Sequence, residues 1–178
     1  MKGLLTPQIR LSCFIIVVSF LLFLTGEANP FLAFNRQDFY VWQLVSAHLI
    51  HYDFKHLILN MLALLILLYL FPTKNKELIS GFIIAVVLID AYMLLSDVQF
   101  YVGFSGLLYV IPGLALGRYI LAKKYAYALL ISCIFVIYMI SCGQMINISN
   151  DITWVTLTQA HILGFVSGIV VLFIIELM

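Results

Sequence analysis

Charge is what this sequence has least of. Nine Lys and Arg and eight Asp and Glu make up 10% of its 178 residues, where soluble domains carry about a quarter. With 65% of residues hydrophobic, a soluble fold would have too few charged groups to cover its surface, so lipid is the natural solvent for most of these side chains. A net charge of +1 excludes a basic nucleic-acid-binding surface, and no stretch is polar enough for a disordered tail. Cysteine is scarce too. Cys13, Cys133 and Cys142 fall in apolar runs without CxxC or Cys/His spacing, which reads as small membrane hydrophobes rather than disulfides or metal ligands.

Six apolar stretches are marked off by polar punctuation: roughly residues 11–28, 54–71, 78–95, 105–121, 125–142 and 158–176. Each approaches the ~20 residues of a spanning helix. The expectation is an all-α membrane protein: one domain over residues 1–178, a six-transmembrane-helix bundle with both termini cytoplasmic. The first stretch, after Lys2 and Arg10, could also be a signal-peptide core, but the segment from Thr25 to Pro30 is a poor A-x-A cleavage site, so it is kept as a helix. Alternating spans put Lys2, Arg10, Lys74, Lys76, Arg118, Lys123 and Lys124 inside and only Arg36 and Lys55 outside. The first outer loop is aromatic, with Phe31, Phe34, Phe39, Tyr40 and Trp42, and is expected to lie in the membrane interface.

Polar side chains within lipid are costly, so those inside the spans are informative. His56, Asn60, Ser105 and His161 come from three helices. Counting ~1.5 Å of rise per residue from the cytoplasmic ends puts His56 at ~24 Å, Ser105 at ~20 to 27 Å and His161 at ~22 Å, one layer below the outer surface. Gly106, Gly113 and Gly117 form a stripe on the fourth helix, and Gly164 and Gly168 share a face with His161 on the sixth, so these helices can pack backbone to backbone. That would bring Ser105 to an imidazole able to take its proton. His56 and Asn60, an i, i+4 pair, could supply oxyanion donors. Each feature has a plainer reading: a Ser bonded to its own i−4 carbonyl, Asn and His as interhelical glue, glycines as packing devices. The combination favours a site, because glue needs neither a common depth nor a Gly-x-Ser-Gly at a helix start, where flanking glycines leave the serine amide free to point inward.

Gly103-Phe-Ser-Gly106, followed by Tyr109, resembles the Gly-x-Ser-Gly motif of rhomboid intramembrane serine proteases. His56-Leu-Ile-Leu-Asn60 is similar to their H-x-x-x-N, and Ala160-His161 through Gly164 to Gly168 to their A-H-x-x-G-x-x-x-G, in the family's order. The resemblance implies a dyad of Ser105 as nucleophile and His161 as base, with no third carboxylate. It also implies an oxyanion hole from His56, Asn60 and the Ser105 amide, and a Tyr109 ring beneath His161. Trp42-Gln43 departs from the family's common Trp-Arg, which puts in question a polar contact that orders the first outer loop. His51 fits a further histidine of the second motif region; His48 has no assigned position, and Asp90 reads as a helix-contact residue or a lipid-shielded acid. The minimal six-helix form, on size and general character, most resembles the rhombosortase branch of Gram-negative bacteria, which acts on proteins ending in a Gly-Gly-containing motif, an apolar helix and a basic tail.

The function expected is therefore that of an intramembrane serine endopeptidase of a bacterial inner membrane. Its partners would be the bilayer and single-span membrane proteins that unwind near the outer face, with no cofactor, metal or nucleic acid. The loop from Gly143 to Leu157 reads either as a cap over the opening or as an ordinary solvated loop, and the fifth helix as a gate. No H-E-x-x-H or Gly-x-Gly-Asp supports a zinc or aspartyl enzyme. His48, His51 and His56 invite a metal-transport reading, but His48 and His51 precede the span in the interfacial loop and lack nearby carboxylate or thiolate partners in a ligand spacing. A transporter would need ionisable residues along a path through the bilayer. The alternative is a catalytically silent rhomboid-like protein that binds membrane clients, which would need neither Ser105 nor His161.

Overall fold

The apolar stretches fold as helices whose ends are set by the polar residues between them. The computed structural model describes residues 7–145 and 157–177. In chain order these form α1 (Pro7–Phe23), β1 (Phe34–Asn35), α2 (Gln43–Ser46), α3 (Phe54–Leu70), α4 (Asn75–Leu95), β2 (Phe100–Tyr101), α5 (Ser105–Leu108), α6 (Val110–Leu121), α7 (Tyr125–Met145) and α8 (Thr158–Leu177). Among the described residues two helices, Asn75–Leu95 and Thr158–Ile175, are long and apolar enough to cross a membrane by length and composition; the apolar segments Gln8–Phe23, Phe54–Leu70, Ser105–Leu121 and Tyr125–Ser141 are shorter.

Three of the differences from the sequence expectation have a local cause. α1 ends at Phe23 rather than near residue 28, because turn chemistry takes over: Gly26 has a φ of 126°, and the Asn29 carboxamide accepts from the Phe31 amide. α4 begins at Asn75 rather than Leu78, its start held by the Glu77 carboxylate accepting from the Lys74 amide at 3.2 Å. The fourth apolar stretch is interrupted at Tyr109. A continuous helix would require an N–H at Pro112 for the Leu108 carbonyl; restarting at Val110 puts Pro112 in the first turn of α6, where no such donor is needed.

α8 lies against α4, α5 and α6. It approaches through glycine: a Cβ on Gly164 would run into the Gly106 carbonyl oxygen, one on Gly168 into the Val110 carbonyl oxygen, and one on Gly113 into the Phe165 carbonyl oxygen. Such contacts leave no room for a side chain and bring backbones together over two turns. The core around them includes Leu57, Leu64, Ile89, Met93, Ile111 and Leu114. Outward faces stay apolar as well, with Leu62, Ile66, Val136 and Ile137 all exposed, as a lipid solvent permits and water would not.

Residues 24–53 form a long connection that is ordered by polar side chains. Gln43 is fully buried; its Nε2 donates to the carbonyls of Pro30 (3.1 Å) and Asp38 (3.3 Å), and its Oε1 accepts from the amides of Asn35 (3.3 Å) and Tyr40 (3.2 Å). The questioned Trp-Arg contact is thus replaced by a carboxamide that both donates and accepts. Arg36 donates to the carbonyls of Val98 (2.8 Å), Ser96 (2.6 Å) and Met93, satisfying oxygens at the end of α4. β1 pairs antiparallel with β2, Phe34 opposite Tyr101 and Asn35 opposite Phe100, and so ties this connection to the segment that leads into Ser105. The exposed aromatics gather, Tyr40 stacking on Trp42 at 4.5 Å and Phe31 tilted against Trp42 at 4.8 Å. Near the other end of α4, buried Glu77 accepts from Arg118 at 2.6 Å while the same guanidinium donates to the Pro72 carbonyl at 2.7 Å.

Candidate active site

Ser105 opens α5, and His161 lies in the first turns of α8. The backbone contact between Gly164 and Gly106 brings the two helices close enough that His161 Nε2 stands 3.0 Å from Ser105 Oγ. Other serines in the helices behave differently: Ser12, Ser132, Ser141 and Ser167 each donate to the carbonyl four residues back. Ser105 sits at a helix start, has no preceding turn to bond, and meets an imidazole instead.

His161 is 1% exposed and packed between rings, with Tyr109 at 4.6 Å and Tyr138 of α7 at 6.0 Å between centroids. Among the described residues no side chain hydrogen-bonds its Nδ1; ring packing orients the imidazole. Tyr109 occupies the interruption between α5 and α6, and its ring packs against that of His161.

α3 supplies the opposite wall. Asp53 caps it, its carboxylate accepting from the His56 amide at 2.7 Å, a contact of the kind worth about 1 kcal/mol. This fixes the helix start and with it the direction of His56 and, one turn on, Asn60; both are buried. Gly103, at a φ of 117°, lies flat against them: a Cβ there would come 2.8 Å from His56 Cε1 and 3.8 Å from Asn60 Nδ2. That conformation is open to glycine and strained for other residues. Asn60 Nδ2 is a buried donor without a hydrogen-bond partner among the described residues. A cavity of about 450 Å³ is lined by Ser105, His161, His56, Asn60 and Tyr109, and continues along Ala63, Ile66 and Leu67 of α3, Pro112 of α6 and Tyr138 of α7. Ile66 is 55% exposed, so the cavity reaches the flank of the bundle between α3 and α7. The segment expected as a cap, Gly143 to Leu157, falls for residues 146–156 outside the described residues.

The three other histidines of the sequence are now accounted for by their contacts. His51 lies edge-on to His56 at 5.1 Å. His48 pairs with Asp90, Nε2 to Oδ1 at 3.1 Å. The second partnership had no signal in the sequence, since 42 positions separate His48 from Asp90 and no motif links them.

The chemistry available is compact: a hydroxyl hydrogen-bonded to an imidazole, amide donors across from it, and an apolar cavity that opens sideways. Comparison with known protein families gives a match between residues 38–177 and the Rhomboid domain, which takes in every element from α2 to α8. No curated protein matches the chain. With the family match covering more than half its length, the chain belongs to the rhomboid family, membrane proteins whose members are intramembrane serine proteases.

Proposed function

We propose that this chain is an intramembrane serine endopeptidase of a bacterial inner membrane, crossing it six times with both termini cytoplasmic. The observation that carries the proposal is the 3.0 Å approach of His161 Nε2 to Ser105 Oγ inside a cavity that opens on the apolar flank. Substrates are single-span membrane proteins that enter sideways between α3 and α7. They unwind there, because an intact helix keeps its carbonyls in i to i−4 bonds. Within the family, the general character of the sequence favours a rhombosortase, acting on proteins with a Gly-Gly-containing motif ahead of a C-terminal apolar helix.

In this mechanism His161 carries its proton on Nδ1, leaving Nε2 to accept from the Ser105 hydroxyl. Oγ adds to the scissile carbonyl carbon as its proton passes to Nε2. The oxygen of the tetrahedral intermediate takes the negative charge and accepts from Asn60 Nδ2, from His56 and from the Ser105 amide, which stands in the first turn of α5 where amides have no intrahelical acceptor. Collapse expels the amine with the proton from His161 and leaves an acyl ester on Ser105. Water then adds to the ester, His161 again taking the proton, and the acid is released. Tyr109 holds the imidazole in the plane these transfers require, the task a carboxylate performs in a triad.

Labelling with a serine-directed fluorophosphonate, alongside cleavage of a single-span substrate, tests this. Wild type is expected to label at Ser105 and cleave; Ser105→Ala and His161→Ala are expected to do neither. Equal labelling of all three would overturn the protease assignment and leave a client-binding protein. Unchanged processing of Gly-Gly-tailed proteins in cells lacking the gene would remove the rhombosortase assignment alone.

A further inference from the structure

Asp90 is 8% exposed on a face of α4 whose neighbours, Ile89 and Met93, are fully buried core residues. A carboxyl group in such surroundings is costly unless it is bonded. Its partner is His48, 1% exposed, at 3.1 Å. On the far side of that imidazole, Nδ1 stands 3.5 Å from the Tyr101 hydroxyl, which is 3.2 Å from the Gly103 carbonyl oxygen. None of the three side chains lines the cavity that holds Ser105.

Hydrogen counting gives this chain a direction. A carbonyl only accepts, and a tyrosine has one hydrogen to give. For every contact to be a hydrogen bond, Tyr101 donates to Gly103, His48 Nδ1–H donates to the Tyr101 oxygen, and Nε2 and Oδ1 share the remaining proton. The Gly103 amide is held as well, donating to the Ala47 carbonyl at 2.9 Å, next to His48. Both polar groups of Gly103 are therefore hydrogen-bonded, and a Cβ on it would run into the His56 ring. The Gly103 carbonyl shares a peptide plane with the amide of Phe104, the residue before Ser105. Turning that plane turns the start of α5 and the serine with it.

We propose that Asp90, His48 and Tyr101 form a positioning relay, which acts through the Gly103 carbonyl to hold the start of α5 so that Ser105 faces His161. It rests on the protease reading above. The relay reaches neither substrate nor the reacting atoms; its effect falls on the rate of the chemical step and leaves substrate binding alone. A displacement of about 1 Å at a nucleophile costs on the order of 100-fold.

The test compares full-length wild type with Tyr101→Phe, Asp90→Asn, Asp90→Leu and Arg118→Gln in detergent. Three quantities are read: the fluorophosphonate labelling rate at Ser105, kcat and KM on a single-span substrate, and the thermal midpoint. Tyr101→Phe, which removes one oxygen, is expected to lower the labelling rate and kcat by about 10- to 100-fold with KM and midpoint near wild type. Asp90→Asn is expected to retain most of the rate, because its amide can donate to Nε2 and keep Nδ1–H directed at Tyr101; Asp90→Leu cannot, and is expected to fall with Tyr101→Phe. Arg118→Gln breaks an ion pair at the far end of α4 and serves as a control that lowers the midpoint with labelling per folded molecule unchanged. Wild-type labelling rates in Tyr101→Phe, or a loss matched by a fall in midpoint, would overturn the relay and leave the protease reading standing. Absence of labelling in wild type would overturn both.

Discussion

Gly164 of α8 and Gly106 of α5 meet backbone to backbone, with no space for a methyl group on Gly164 beside the Gly106 carbonyl. The contact lies one residue after Ser105 and three after His161 in sequence, so it sets the distance between them. Gly164→Ala is expected to push the helices apart, costing about 1–3 kcal/mol as overpacking does, and to reduce cleavage by about 100-fold or more. Denaturant midpoints in detergent and substrate cleavage check this together; an Ala variant with wild-type cleavage would separate the glycine contact from the site geometry.

Asn60 lines the cavity, and its Nδ2 is a buried donor without a hydrogen-bond partner among the described residues. If it serves the oxyanion, Asn60→Ala lowers kcat by about 10²- to 10³-fold, with KM little changed and the Ser105–His161 hydrogen bond intact. Steady-state kinetics on a single-span substrate measure it. A rise in KM at constant kcat would instead assign Asn60 to substrate binding.

Gln43 makes four hydrogen bonds to the backbone of residues 30–40. Gln43→Ala leaves these amides and carbonyls without their buried partner, at a cost of about 1–3 kcal/mol. The expected readout is a lower thermal midpoint with new proteolytic cuts between residues 30 and 42. Cuts confined to another segment would show that the connection is ordered by other contacts.

His51, in the connection before α3, is fully buried, and burial first and the nearby His56 second lower its pKa from 6.5 to about 3. Its neutral form is the one the fold accommodates, so above pH 6.5 it adds no pH dependence. As pH falls from 6.5 toward about 3, the unfolded chain binds a proton that the folded one does not, and stability declines by at most about 1.4 kcal/mol per pH unit. Thermal midpoints from pH 7 to pH 4 are expected to slope less in His51→Gln than in wild type. Equal slopes would assign the acid sensitivity to another group.

Reading the chain as mostly helical and membrane-embedded needed only its composition, because lipid as solvent allows long apolar runs and punishes anything but closed backbone hydrogen bonding. The motifs around Ser105, His161, His56 and Asn60 were likewise visible, since each is local and carried by helical spacing. The interruption at Tyr109 has a signal in the sequence, Pro112 in mid-stretch. The two short strands have none, being two residues each.

By itself, then, the amino-acid sequence determined the solvent, the helical character and the residues worth watching, all properties that one segment carries alone. Tertiary structure decided which of them meet. His161 lies 56 positions from Ser105, and Asp90 lies 42 from His48; at such separations the members of each pair lie on different elements, and no periodicity within one element links them. The first pair is joined by glycine faces that let backbones touch. The second is joined by the cost of leaving a carboxyl group alone in an apolar core, and both pairings are fixed only when the helices pack.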